Sequence, residues 1–262
     1  MRLALTLTAL ALLSTTPADA RIDSSAFASL AFRQHPGAQL PLGTRLRDES
    51  GRPAVLGSGF AGRPTILVLE YLRCQNLCSL VLSGTTAAMT QAHLRPGEDV
   101  NLVAVSIDPR DTAADAAASR AMYARRFASP DAAMPGIRFF TGAPDQVARI
   151  AKAIGFPYRF DRQTNQFAHP AGFVVATPDG RISRYMLGLN PQPAVLRQAV
   201  DAAAADQVAP PAHPLLCLCF GYDPDEGSVA ALTWRLVRWT SLALVLACAV
   251  LIGSLALRRR SA

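Results

Sequence analysis

Cys74 and Cys78 stand four residues apart, where an apolar, β-branched run (Thr65–Leu72) gives way to a helical pattern. Leu77, Val81, Ala88 and Ala92 form one stripe of that pattern. A strand running into a helix N-terminus presents its first side chains to unpaired backbone N–H groups and the positive end of the helix dipole. Both favour thiolate over thiol. Spacing i, i+4 puts the two sulfurs on one side of a single turn. Two soft anions side by side suit a soft metal such as Cu(I), or they close into a disulfide. A structural disulfide here would close only a short loop, the arrangement that gives least entropic stabilisation, so a functional pair is the favoured reading.

The elements that must position this pair follow from the surrounding pattern. Thr44–Arg47 and Pro53–Leu56, separated by Asp48–Gly51, form a β-hairpin with a Gly turn. After the cysteine strand comes a helix through Leu94, stopped by Pro96–Gly97. Val100–Ile107 is a nearly continuous apolar strand of the kind buried on both faces. Ala113–Phe127 is an alanine-rich helix capped by Asp111 or Thr112, with Asp115 in its first turn. Ile137–Phe140 is a strand and Pro144–Ile154 a helix stopped by Gly155. An aromatic segment, Pro157–Phe160, and a polar loop, Asp161–Gln166, lead to Phe167–Ala168–His169–Pro170 and the strand Gly172–Thr177. Pro178–Asp179–Gly180 turns the chain back along Arg181–Leu187, and an amphipathic helix covers Ala194–Asp206. Alternating strands and helices predict an α/β fold, a central sheet flanked by helices. The cysteine pair at its first strand-to-helix corner makes that sheet thioredoxin-like.

Both ends of the 262-residue chain differ from this middle. Arg2, the apolar run Leu3–Leu13 and Ala18–Asp19–Ala20 read as a signal peptide over residues 1–20. Residues 21–36 are a polar linker, and the domain occupies 37–208. A Pro- and Cys-containing juxtamembrane tether follows over 209–238. Trp239–Leu257 holds 19 residues without a charge, flanked by Trp234, Arg235 and Arg238 on one side and Arg258–Arg260 on the other. That pattern predicts one transmembrane helix over 239–257, with 258–262 a cytoplasmic basic tail. The five arginines of residues 233–262 account for most of the net charge of +7, leaving +2 for the exported part. So small an excess is no nucleic-acid footprint. Cys248 lies within the predicted span and reads as an apolar residue. Cys74, Cys78, Cys217 and Cys219 would face an oxidising compartment, where a free thiol needs a reason.

Three ordered motifs resemble the Sco (SenC) family of copper-binding thioredoxin-like proteins, in the bacterial branch with a C-terminal membrane anchor. They are Tyr71–Leu72–Arg73–Cys74–Gln75–Asn76–Leu77–Cys78, Val105–Ser106–Ile107–Asp108–Pro109–Arg110–Asp111–Thr112 and Ala168–His169–Pro170. Phe139–Gly142, Pro178–Arg181 and Phe220–Pro224 match in position, so the likeness runs from about Gln39 to Asp225. The resemblance implies that Cys74, Cys78 and His169 bind copper, as Cu(I) or Cu(II). Two thiolates and one imidazole suit Cu(I), and they offer Cu(II) a nitrogen. It further implies a metallochaperone at the bacterial inner membrane, its globular domain on the periplasmic side. The implied acceptor is the copper-binding subunit of a haem–copper (cytochrome c) oxidase, with a periplasmic thiol reductant or copper donor upstream. The other class of function is a thiol–disulfide oxidoreductase keeping the oxidase copper-site cysteines reduced, in which Cys74 attacks and Cys78 resolves. Relatives often carry proline after one or both cysteines, whereas this chain has Gln75 and Ser79. Cys217–Leu218–Cys219 has two thiols where the branch is expected to have one.

Several other residues have two readings each. Asp108 and Asp111 read as a strand exit plus a helix N-cap, or as supports for the metal site or a docking partner. Cys217 and Cys219 read as juxtamembrane apolar residues, or as a relay pair or accessory copper site. His35, His93 and His213 are ordinary surface histidines, with His93 late in a helix.

Overall fold

The structure is a computed structural model that describes residues 31–73, 78–162, 165–212 and 239–241; of Cys78 and Ser79 it describes the backbone alone. Two short strands, β1 (Arg45–Arg47) and β2 (Pro53–Val55), pair antiparallel, with Arg45 opposite Val55. Five strands make the central sheet, in the order β5-β4-β3-β8-β9. β3 (Thr65–Glu70) and β4 (Asn101–Ser106) are parallel neighbours at its centre, with Glu70 level with Ser106. Every residue of both is buried, as their unbroken apolar runs require. β5 (Ile137–Phe140) continues the parallel half. β8 (Gly172–Ala176) and β9 (Ile182–Leu187) form an antiparallel hairpin that joins β3, so the sheet is mixed.

Alternation along β3 and β4 divides the core between the two faces. Ile66, Val68, Leu102 and Ala104 pack with helices α1 (Cys78–Gln91), α2 (Ala113–Ala124) and α5 (Pro193–Ala204). Leu67, Leu69, Tyr71, Val103 and Val105 face α4 (Pro144–Ala153), together with Phe60 and Leu46. A short helix, α3 (Pro130–Ala133), precedes β5. The α1 stripe is wider than its apolar residues alone, because Thr85 and Thr86 are buried too. Their hydroxyls donate to the carbonyls of Val81 and Leu82 at 2.7 and 2.8 Å, which removes the cost of burying them.

Three local expectations are corrected. α1 ends at Gln91, short of Leu94, because His93 takes a left-handed φ of 53°. Leu94 N–H then reaches the Met89 carbonyl and His93 N–H that of Thr90, closing the helix before the Pro96–Gly97 stop is met. The segment expected as an aromatic stretch and polar loop is a two-stranded hairpin, β6 (Arg159–Asp161) with β7 (Gln166–Ala168), separate from the central sheet. The last residues of the expected linker are packed: Phe32 sets its ring edge against Phe156 and Tyr185, and Arg33 N–H donates to the Gly155 carbonyl.

Among the described residues no helix is long and apolar enough to cross a membrane. The expected signal peptide lies outside them, as does the expected span apart from Trp239–Ser241, which are helical.

Candidate functional site

The carboxyl ends of β3 and β4 lie side by side, and the chain leaves both into loops that the sequence singled out. From β3 it passes through Tyr71, Leu72 and Arg73 towards Cys74, and α1 begins at Cys78. Cys74–Leu77 and the side chain of Cys78 lie outside the described residues, so the expected sulfur ligands are bounded by their neighbours. The strand and helix anticipated on either side of them are present: β3 ends four residues before Cys74, and Cys78 is the first residue of a 14-residue helix.

His169 follows β7 and packs beside the end of β3. Its ring meets the Tyr71 ring edge-on at 6.1 Å between centroids, three residues before Cys74. Phe156 lies over it at 5.4 Å and 29°. Nδ1 is 2.9 Å from the Pro170 carbonyl, which can only accept, so Nδ1 carries the proton. In the neutral ring the lone pair is then on Nε2, the arrangement usual for a metal-binding histidine. Burial among the aromatic rings pushes the His169 pKa below the ordinary histidine value, and the hydrogen bond to Pro170 opposes this only in part.

The β4–α2 loop carries the other motif, and its two acids have separate tasks. The Asp111 side chain is fully buried. It accepts from the Leu72 backbone N–H at 2.7 Å, from Arg73 Nε at 2.9 Å and from Ser106 Oγ at 2.6 Å. It therefore holds the two residues that lead into Cys74. Of the two caps expected, Asp111 or Thr112, the helix takes Thr112, in a capping box with Asp115, which leaves Asp111 to this support. Asp108 binds Arg110 through both carboxylate oxygens, at 2.8 and 2.7 Å. Burial alone would raise its pKa; hydrogen bonds from Arg110 and the positive charges of Arg110 and Arg73 outweigh that and hold it below the usual aspartate value.

The remaining candidates do not join this cluster. His35 is exposed, its backbone N–H donating to the Tyr185 hydroxyl at 2.9 Å, and His93 is exposed beyond α1. His213, Cys217, Cys219 and Cys248 lie outside the described residues. Among the described residues, which exclude the cysteine sulfurs, no three His, Cys, Asp or Glu side chains converge as a metal cage. Sequence reasoning missed the ring contacts of Tyr71 and Phe156 on His169. It also missed the hairpin before His169. Its trace is there: Phe160 and Phe167 each sit in a short alternating run, flanking a polar turn that contains Asn165.

In fold the chain is similar to a putative electron transfer protein from Aquifex aeolicus VF5, at 23% identity over 65% of this chain and 95% of that one, with a TM-score of 0.57. Arabidopsis thaliana ScoI, solved with copper bound, is 21% identical over 66% of this chain and 98% of its own, with a TM-score of 0.50. BsSco, a member of the Sco family of cytochrome c oxidase assembly proteins in which a disulfide switch has been identified, is 16% identical over 66% and 97%, with a TM-score of 0.51. No curated protein matches the chain. The family model SCO1/SenC matches residues 45–233, from β1 through the whole α/β unit and into the expected tether. By that match, the chain belongs to the SCO1/SenC family.

Proposed function

We propose that this protein is a copper metallochaperone for the assembly of the copper centre of a haem–copper oxidase, with Cys74, Cys78 and His169 as the ligands. The observation that carries the reading is the return of His169 to the end of β3, where its ring packs on Tyr71 just ahead of the cysteines. Copper is the cargo. Two thiolates at a helix mouth supply the soft ligands, and Nε2 of a neutral imidazole supplies the third. Because burial disfavours the imidazolium, protons compete weakly with copper for that nitrogen. Family membership and the copper-bound relative from Arabidopsis support the same cargo. Release is by ligand exchange with an acceptor bearing similar thiols, the copper-binding subunit of the oxidase. A periplasmic thiol reductant or copper donor recharges the site. The basic-apolar start and the apolar run over 239–257 support export and a single anchor in the bacterial inner membrane, which would raise the effective concentration near a membrane-bound acceptor.

A second reading is favoured by the strand-to-helix position of the cysteines and by the disulfide switch described for BsSco. In it Cys74 and Cys78 pass two electrons and two protons to a disulfide on the oxidase subunit and end as a disulfide themselves. Cu(I) titration of the reduced full chain in detergent separates the two. The chaperone reading expects one copper per chain. It also expects affinity in His169→Ala to fall by more than the roughly 10–100-fold that loss of a ligand's outer partner costs. Unchanged affinity in His169→Ala, with reduction of the target disulfide abolished, would install the oxidoreductase reading instead.

A further inference from the structure

Arg110 makes more contacts than an ion pair with Asp108 requires, and they all lead to the hairpin that delivers His169. Its Nη1 donates to Asn165 Oδ1 at 2.8 Å, in the turn of that hairpin. Its guanidinium lies 5.0 Å from the Phe160 ring centroid on β6 and 6.0 Å from the Phe167 ring centroid on β7. Phe160 and Phe167 are directly opposite in the strand register, with rings 5.1 Å apart. One side chain thus touches both strands and the turn between them. At its other end it is held by Asp108 through a forked pair and by its own backbone N–H, which donates to Asp108 Oδ1 at 2.8 Å.

The hairpin needs such support. It has three residues per strand and forms no ladder with the central sheet, and an isolated pair of that size is marginal in water. Phe160 is 39% exposed, so its burial fixes β6 only in part. Phe167 packs on Tyr71 at 5.7 Å and Tyr158 at 6.2 Å, which fixes one face of β7 only. His169 lies two residues beyond Phe167, so a hairpin that sways carries the imidazole with it.

We infer that Arg110 is a positioning residue for His169. It clamps the β6–β7 hairpin to the same loop whose Asp111 holds Leu72 and Arg73, and so fixes the spacing between the histidine and the cysteine segment. The pair joins a half-exposed guanidinium to a buried Asp108 carboxylate, which keeps that carboxylate charged but does not account for the contacts to Asn165, Phe160 and Phe167. What Arg110 supplies is registration between two loops that share no ladder. Lysine cannot substitute, since one ammonium lacks both the fork that spans Asp108 and Asn165 and the flat face that covers the rings. The role of this registration in holding copper rests on the chaperone reading, whereas the registration itself does not.

The test uses the full chain in detergent as native protein, Arg110→Ala, Arg110→Lys and Asn165→Ala. In the metal-free state, the His169 ring Cε1–Hε1 resonance should be single and displaced by the Phe156 ring current. In Arg110→Ala and Arg110→Lys it should broaden or move towards the free-imidazole position while the chain stays folded. Arg110→Ala also leaves the buried Asp108 carboxylate without its partner and lowers the unfolding midpoint, whereas Arg110→Lys keeps a positive charge beside it and lowers the midpoint less. With Cu(II) loaded, release to a chelator should be roughly tenfold or more faster in both Arg110 variants, the scale of a lost outer-sphere support. Asn165→Ala removes one contact without touching Asp108 and should move both readouts in the same direction by less, which keeps the test valid if an Arg110 variant misfolds. An unshifted His169 resonance in folded Arg110→Ala would overturn the inference. If the native chain takes up no copper, the chaperone reading falls, and the metal-free resonance still decides whether Arg110 positions the ring.

Discussion

Two pairs of acids sit on turns against the central sheet, and their partners set them apart. Asp48 and Glu49 occupy the β1–β2 turn. Asp48 accepts from the backbone N–H groups of Ser50 and Arg52 at 2.9 and 3.0 Å, closing the turn on itself. Glu49 accepts from the Phe139 backbone N–H at 2.7 Å and from Arg138 Nε at 3.1 Å, with Arg120 Nε at 3.7 Å. All of Glu49's partners lie on regular elements, the edge strand β5 and helix α2. Asp108 and Asp111 look alike on paper, as buried acids beside arginines after a strand. Asp111 holds the Leu72 N–H and Arg73 Nε on the way to Cys74, and Asp108 holds Arg110, which in turn reaches Asn165 in the turn before His169. The lesson is that burial and charge do not tell a staple from a support of chemistry; what the donors are attached to does.

The comparison fails if the two pairs respond alike to truncation. Glu49→Ala should give the larger loss of stability, about 3 kcal/mol, because it strips a mostly buried Arg138 of its close acceptor, leaving it Asp48 at 3.9 Å, and strands the Phe139 N–H. Urea unfolding of the full chain measures this, and copper affinity should be unchanged. Asp111→Ala should cost about 2 kcal/mol, the scale of stranding buried donors at Leu72 and Ser106. It should also weaken copper binding by about 10–100-fold, since the residues leading into Cys74 lose their anchor. Equal effects of both variants on copper would erase the distinction between staple and support.

Much of this was legible in the residues, and the rest was hidden for identifiable reasons. The strands β3 and β4 announce themselves as unbroken apolar runs because both of their faces are covered. The corner after β3 follows from the switch in period at Cys78. By contrast, α1 ends on a left-handed histidine, and nothing local distinguishes His93 from a helical residue. The hairpin before His169 was passed over because its strands have three residues each and take their support from Arg110, some 50 residues earlier. Asp111 reads both as a helix cap and as a support of the site, because a cap is the local interaction a sequence displays. Its actual partner, the Leu72 N–H, is 39 residues away, and only the parallel register of Glu70 with Ser106 brings the two loops together.

The smallest expected effect sharpens the comparison through pH. His169 has a folded pKa below its ordinary value of 6.5, so the unfolded chain takes up a proton that the folded chain refuses. The stability due to keeping it neutral is present in full above about pH 6.5 and declines as pH falls from there towards the folded pKa. Asp48 and Asp108 are also held below their ordinary value of 3.8, so their contributions persist until pH falls through that value and then through their folded pKa values. Between these windows His169 is the group, among the described residues with an assigned shift, that should respond. Urea unfolding of the metal-free chain at pH 7.5, 6.5, 5.5 and 4.5 should show a gentle loss, no steeper than about 1.4 kcal/mol per pH unit for one proton. His169→Gln should flatten it. A slope that survives in His169→Gln would move the titrating group away from the Tyr71–Phe156 pocket, and with it the argument that burial keeps the imidazole neutral for copper.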